Sequence, residues 1–93
     1  MICSFRCSDT RAVYDGQQVR AFPPSIQKTA RRKLRQIAAA ASINDLRVPP
    51  GNRLEKLRGD RAGQHSVRIN GQYRVCFVWT AGNAHHVEIV DYH

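Results

Sequence analysis

The chain has 93 residues and a formal net charge of +8, and 12 of its 15 basic residues are Arg. The length suits one domain over residues 1–93 with a small core, so one sheet and a few helices are the natural solution. The Arg excess favours a polyanionic partner, because a guanidinium reads phosphate with a planar fork of donors. Three Cys without a CxxC motif argue against a disulfide framework and a Cys-based zinc site. With no apolar leader and no run of membrane-spanning length, the expectation is a cytoplasmic protein without membrane contact.

In chain order, Ile2 to Cys7 reads as a short first strand with Ile2 and Phe5 turned inward. Ser8 or Asp9 can cap a helix that runs to about Asp15 and ends at Gly16. Gln17 to Phe22 reads as a loop punctuated by Pro23-Pro24. Ser25 can cap a second helix reaching about Ala41, with Ile26, Ala30, Leu34, Ile37 and Ala41 as its apolar stripe. Lys28, Arg31, Arg32 and Arg35 fall on the opposite side, as a contact for RNA or the ribosome or as a solvated face. Ser42-Ile43-Asn44-Asp45 resembles a capping box and predicts one more turn of helix, ended by Pro49-Pro50-Gly51. Four further strands are expected at Arg53 to Leu57, Gln64 to Ile69, Tyr73 to Thr80 and Ala84 to Val90. The predicted class is α+β, a small antiparallel sheet with two to three helices on one face.

The charge is uneven: residues 1–46 carry +5, 47–74 carry +5 and 75–93 carry −2. The middle block is the best candidate for phosphate contact. A three-residue loop over Asn70 to Gln72 pairs Ile69 with Tyr73 and Val67 with Val75. One face then gathers Val67, Ile69, Tyr73, Val75, Phe77 and Trp79, and the other gathers Ser66, Arg68, Arg74 and Cys76. A one-residue slip would exchange the faces, so this loop gives one clean core. It sets Arg68 beside Arg74 on a face expected to be uncovered, a like-charge pair that favours an anion between them.

Cleavage of RNA by its own 2′-hydroxyl needs a base, an acid for the leaving 5′-oxygen and cations around the phosphorane. Arg74 is the first candidate for the phosphorane, and Arg58 can reach the same phosphate. Arg68, Arg53 and Arg61 are further candidates for phosphate contact. His93 can act as acid or base near neutral pH, unless the terminus frays. Tyr92 can stack on a base, donate a proton or serve the core. Asp91 can orient His93 or accept a proton, and Glu55 is a possible base that can also pair with Lys56 or an Arg. His65 falls on the apolar face and reads as structural, while His85 and His86 read as edge residues. No nucleotide-binding loop or metal-ligand motif is present, so no cofactor or metal is expected.

Taken together, these residues resemble the HigB-like toxins of the RelE/ParE superfamily. The resemblance rests on Met1-Ile2-x-Ser4-Phe5, Leu57-x-Gly59-Asp60-Arg61-x-Gly63, Ser66-Val67-Arg68-Ile69-Asn70, Tyr73-Arg74-Val75-Cys76-Phe77 and Val87-Glu88-Ile89-Val90-Asp91-Tyr92-His93. Pro49-Pro50-Gly51-Asn52-Arg53-Leu54-Glu55 is similar to the HigB/GraT branch. The resemblance implies a curved RelE-like sheet and a ribosome-dependent endonuclease that cuts mRNA in the decoding site. It also implies a HigA-like helix-turn-helix antitoxin, with operator DNA bound only through that antitoxin. By position, Arg58 and Arg74 match the family's phosphate-contacting cations, and Asp91, Tyr92 and His93 match its closing triplet. Some relatives have His where Glu55 stands; a carboxylate cannot replace a cationic His on phosphate, but it can act as a base. ParE-like toxins share the fold and act on gyrase, so a gyrase poison and a non-enzymatic RNA-binding inhibitor are the competing functions.

Overall fold

A computed structural model of the protein describes residues 1–92. Helix α1 spans Ser8–Tyr14 and helix α2 spans Pro24–Ala39. Strands β1 (Glu55–Lys56), β2 (Gln64–Arg68), β3 (Tyr73–Thr80) and β4 (Asn83–Asp91) form one antiparallel sheet in the order β1-β2-β3-β4. Two short 3₁₀ turns at Ile43–Arg47 and Pro50–Asn52 join α2 to the sheet, and a third at Gly59–Arg61 connects β1 to β2. The class is α+β, as the pattern of elements predicts.

The core lies between the helices and one face of the sheet. Val13 of α1 and Ile26, Ala30, Leu34 and Ile37 of α2 meet Val67, Tyr73, Val75, Phe77, Val87 and Ile89. Phe77 is fully enclosed at the centre, and truncating it to Ala would cost about 3–5 kcal/mol. Trp79 packs at the edge of this core, with its ring against Phe77.

The register is the one that the three-residue loop predicts. Val67 pairs with Val75 and Arg68 with Arg74, and the Ile69 N–H donates to the Tyr73 carbonyl at 2.9 Å. Asn70 fixes the loop, because its Oδ1 accepts the N–H groups of Gln72 and Tyr73, each at 2.8 Å. Between β3 and β4 the register shifts near Cys76 and Val78, and His86 takes φ 54° there. That bulge turns His86 outward at the sheet edge, in keeping with the edge role expected of it.

Several local expectations shift. Ile2 to Cys7 forms no continuous strand; Ile2 and Phe5 make single parallel bridges to Ala84 and Val87 of β4 and pack against the core. Cys7 and Pro23 stand at the N-caps, with Pro24 opening α2, so the hydroxyls of Ser8 and Ser25 do not cap. Helix α2 ends at Ala39 and buries Ala40, leaving Ala41 exposed. The Ser42–Asp45 capping box is present and opens a 3₁₀ turn. The second strand shortens to Glu55–Lys56 because Arg53 adopts φ 45° and cannot extend the ladder.

The larger difference concerns the second face of the sheet. Ser66, Arg74 and Cys76 are buried there, at 0%, 8% and 0% exposure. The face is covered by polar chain: the Arg53 carbonyl, Glu55, Arg61 and Tyr92 all reach its side chains. A strand end and a basic segment can cover a polar face because they meet it with hydrogen bonds, an ion pair and a cation–ring contact. His93 lies outside the described residues.

Candidate functional site

Arg74 is central to this second face. Its neighbours Tyr73 and Val75 enter the core, so the period of two sends Arg74 the other way. Its Nε–H donates to Ser66 Oγ at 2.7 Å, and Nη2 donates to the Arg53 carbonyl at 2.6 Å. A longer contact of 3.4 Å runs from Nη2 to the Ser66 carbonyl. Glu55 Oε2 lies 3.9 Å from Nη2, on a side chain 54% exposed. The guanidinium carbon sits 5.8 Å from the centre of the Tyr92 ring.

These contacts orient the cation without neutralising it. The two short bonds go to neutral oxygens, and Glu55 is solvated and at the limit of an ion pair. A guanidinium so held still favours an anion, and among the described residues no partner falls on Nη1. The backbone at Arg53 is part of the arrangement. It lies in the left-handed region at φ 45°, ψ 55°, which costs a residue with a side chain about 1–2 kcal/mol.

The end of β4 completes this corner. The Tyr92 N–H donates to the Gln72 carbonyl at 2.6 Å, and Gln72 Nε2 donates to Asp91 Oδ2 at 3.1 Å. The β2–β3 loop thereby fixes the strand end whose Tyr92 ring lies against Arg74. A cavity of about 320 Å³, lined by Arg61, Val90, Asp91 and Tyr92, opens beside it. A second cavity of about 410 Å³ is lined by Arg6, Asp60, Arg61, Gln64 and Glu88.

Arg61 lines both cavities and is already engaged. Its Nη1 donates to Glu88 Oε1 at 2.8 Å and to Gln64 Oε1 at 3.1 Å. The Glu88 carboxylate holds the Arg61 guanidinium even more firmly charged than usual. The Cys76 thiol is enclosed beneath these groups, and burial raises its pKa. A thiol in that state is neutral and a poor nucleophile.

The structure gathers Arg74, Glu55, Tyr92 and Asp91 in one corner, with Arg68 opposite Arg74 in the β2–β3 register. Arg74 turns toward Ser66 and Arg53 and away from Arg68, which lies by Gly71 and is half-buried. Arg58 is exposed just beyond β1, and the Arg53 side chain is exposed while its carbonyl serves the site. Arg31, Arg32 and Arg35 are exposed on α2, which packs on the opposite face of the sheet. The structure does not bring these three to the Arg74 corner; Arg31 lies over Gly16, and Arg35 over the Tyr14 ring.

The sequence pattern does not single out Lys33, Asn52 or Gln72, and it places Ser66 on the second face without a role. Lys33 follows Ala30 by three residues and precedes Ile37 by four, so the helical repeat puts it on the border of the apolar stripe. Asn52 carries no comparable signal, because its partners lie far away in sequence.

Residues 4–93 match the family model for HigB-like toxins, described as the RelE-like toxin of type II toxin–antitoxin system HigB. Toxin HigB-1 of Vibrio cholerae is 46% identical over 70 residues, covering 75% of this chain and 74% of that protein. An uncharacterized protein of Haemophilus influenzae is 44% identical over 56 residues, covering 60% of this chain and 55% of its own. Among solved structures, a chain of the YoeB–YefM complex from Staphylococcus aureus shares the fold with a TM-score of 0.58 at 17% identity, over 100% of this chain and 98% of that one. The model match over almost the full chain and the identity to Toxin HigB-1 place this protein in the HigB-like family of RelE-like toxins of type II toxin–antitoxin systems.

Proposed function

We propose that the protein is a ribosome-dependent endoribonuclease that cuts mRNA during translation and arrests growth, acting in the cytoplasm and neutralised by a HigA-like antitoxin. The observation that carries this reading is the Arg74 guanidinium, buried to 8% exposure, oriented by two short bonds and left without full charge compensation. Such a preorganised cation suits charge that develops at a phosphorane.

In the proposed step the substrate's 2′-oxygen attacks the adjacent phosphorus. The 2′-O–P bond forms, the P–O5′ bond breaks, and the products are a 2′,3′-cyclic phosphate and a 5′-hydroxyl. Glu55, exposed at the rim beside Arg74, takes the 2′-hydroxyl proton. Tyr92 or His93 delivers a proton to the leaving 5′-oxygen, and Asp91 positions the strand end. Arg74 stabilises the phosphorane, with Arg68 and Arg58 on neighbouring phosphates. Arg53 and Arg61 contribute to the local positive field, which draws RNA toward the cleft.

The exposed Arg31, Arg32 and Arg35 on the far face favour a separate contact with ribosomal RNA. An antitoxin partner is supported by the family and by the paired chain named for the Staphylococcus aureus structure. Operator DNA enters only through that antitoxin.

The test is a transcriptome-wide map of new RNA 5′ ends after brief induction of the protein and of its Arg74→Ala form. Cuts within translated frames, made by the unmodified protein alone, are expected. Growth arrest with intact transcripts would move the reading to a non-enzymatic inhibitor, and DNA damage signalling would move it to a gyrase poison.

A further inference from the structure

Lys33 is a buried charge that the proposed chemistry does not use. It stands on the core side of α2 with 6% of its surface exposed, and no carboxylate lies within ion-pair distance among the described residues. Its ammonium donates to Asn52 Oδ1 at 2.6 Å. Burial and the nearby Arg32 lower its pKa. A core position occupied by Lys at this cost of desolvation points to a specific partner rather than to packing.

That partner, Asn52, is fully enclosed. Its Nδ2 is shared among Gln36 Oε1 at 3.1 Å, the Leu46 carbonyl at 3.2 Å and the Val48 carbonyl at 3.4 Å. Its own N–H donates to the Pro49 carbonyl at 2.9 Å. The amide thus ties α2 to both 3₁₀ turns that precede β1. The next residue is Arg53, whose left-handed backbone aims its carbonyl at Arg74 Nη2. A residue with a side chain persists in that region only when its surroundings over-determine it, and the Asn52 network does so.

We propose that Lys33 and Asn52 are positioning residues for Arg74: together they fix the turn over 49–53, and through it the Arg53 carbonyl that orients the guanidinium. This rests on the reading of Arg74 as the phosphorane-stabilising cation. The direction of dependence is set by the geometry. The Arg53 carbonyl turns with the Arg53 backbone, and that backbone is anchored one residue upstream by an amide that has Lys33 beneath it.

The experiment compares the full-length protein with its Asn52→Ala and Lys33→Met forms. Met keeps the length of the Lys side chain and removes the buried charge, so this form is expected to fold even where Asn52→Ala does not. The first readout is the NMR resonance of the Arg74 Nε–H, which reports the hydrogen bonding of that group without requiring activity. It is expected to shift and to exchange with solvent faster in both variants. The second is cleavage of a defined mRNA on programmed ribosomes, normalised to folded protein. A misplaced guanidinium predicts a loss of kcat of roughly ten- to hundredfold, with KM nearly unchanged because the ribosome-facing surface is intact. An unmoved Arg74 resonance and unchanged kcat in a folded variant, even one with a lowered melting temperature, would overturn the proposal and leave the pair a purely structural role. Cleavage undiminished by Arg74→Ala would defeat the catalytic reading instead, and the resonance would then decide the positioning alone.

Discussion

The Ser66 hydroxyl accepts the Nε–H of Arg74 at 2.7 Å, across the β2–β3 pairing, with both residues buried. Ser66→Ala removes the acceptor and leaves a charged donor enclosed. The expected loss is about 1–3 kcal/mol of stability, measured by urea denaturation, together with weaker growth inhibition on induction. A variant as stable and as toxic as the unmodified protein would show that the Ser66 bond contributes neither to the fold nor to the site.

Arg74 makes its two short bonds through two different nitrogens in one plane. A Lys ammonium at this position has a single nitrogen and no fork. Arg74→Lys is therefore expected to abolish toxicity as completely as Arg74→Ala, with an unchanged circular dichroism spectrum. Retained toxicity in Arg74→Lys would mean that positive charge alone suffices and that the orientation of the guanidinium is irrelevant.

The parts of the fold legible in the sequence are those fixed by alternation. Val67, Val75 and Phe77 could share one face only with a three-residue loop at Asn70, and the Val67–Val75 and Arg68–Arg74 pairs follow that register. The stripe of α2 was legible from Ile26 to Ile37 for the same reason, since those positions repeat at helical pitch. The cover over the second face was not legible. A pattern of Ser66, Arg74 and Cys76 reads as solvated, because polarity does not reveal that an irregular segment will supply matching acceptors. Lys33 was hidden likewise: its acceptor on Asn52 is 19 residues away, beyond the reach of any local rule. At the site, the sequence named Arg74, Glu55, Asp91 and Tyr92, and the fold brings them together. It left out the groups that hold them, Gln72 and the Arg53 carbonyl, because a backbone acceptor has no residue signature.

Thr10 supports the sheet from α1. It is fully buried, and its Oγ1 accepts the Ile89 N–H at 3.0 Å and lies 3.0 Å from Cys7 Sγ. Ile89 lies past Val87, where the N-terminal segment makes its last bridge to β4 among the described residues. Thr10→Val keeps the shape and removes the acceptor, so an enclosed N–H loses its partner, at a cost of about 1–3 kcal/mol. Thr10→Ser keeps the hydroxyl and should lose less. Equal melting temperatures for the Val and Ser variants would remove the hydrogen bond from the account and leave the methyl group as the stabilising part.

His65 makes stability depend on pH in a defined direction. Its ring stacks on Phe77 with centroids 6.2 Å apart, and its Nδ1 is enclosed with no hydrogen-bond partner among the described residues. Burial first, and then the Lys56 charge from the paired strand, hold the imidazole below its ordinary 6.5. Because the folded pKa is the lower one, the unfolded chain takes up the proton first. The stability linked to His65 is therefore complete above about 6.5, declines as pH falls from there toward the folded pKa, and is absent below it. The Asp45 carboxylate also has a lowered pKa, held by the N–H groups of Ser42 and Ala41, but its contribution fades only below its ordinary 3.8, whereas the decline linked to His65 begins near 6.5. The melting temperature is expected to fall between about pH 7 and pH 5, and His65→Phe, which keeps the stacked ring and cannot titrate, is expected to flatten that slope. An equal slope in His65→Phe would assign the acid sensitivity to another group and mean that His65 takes up its proton alike in the folded and unfolded states.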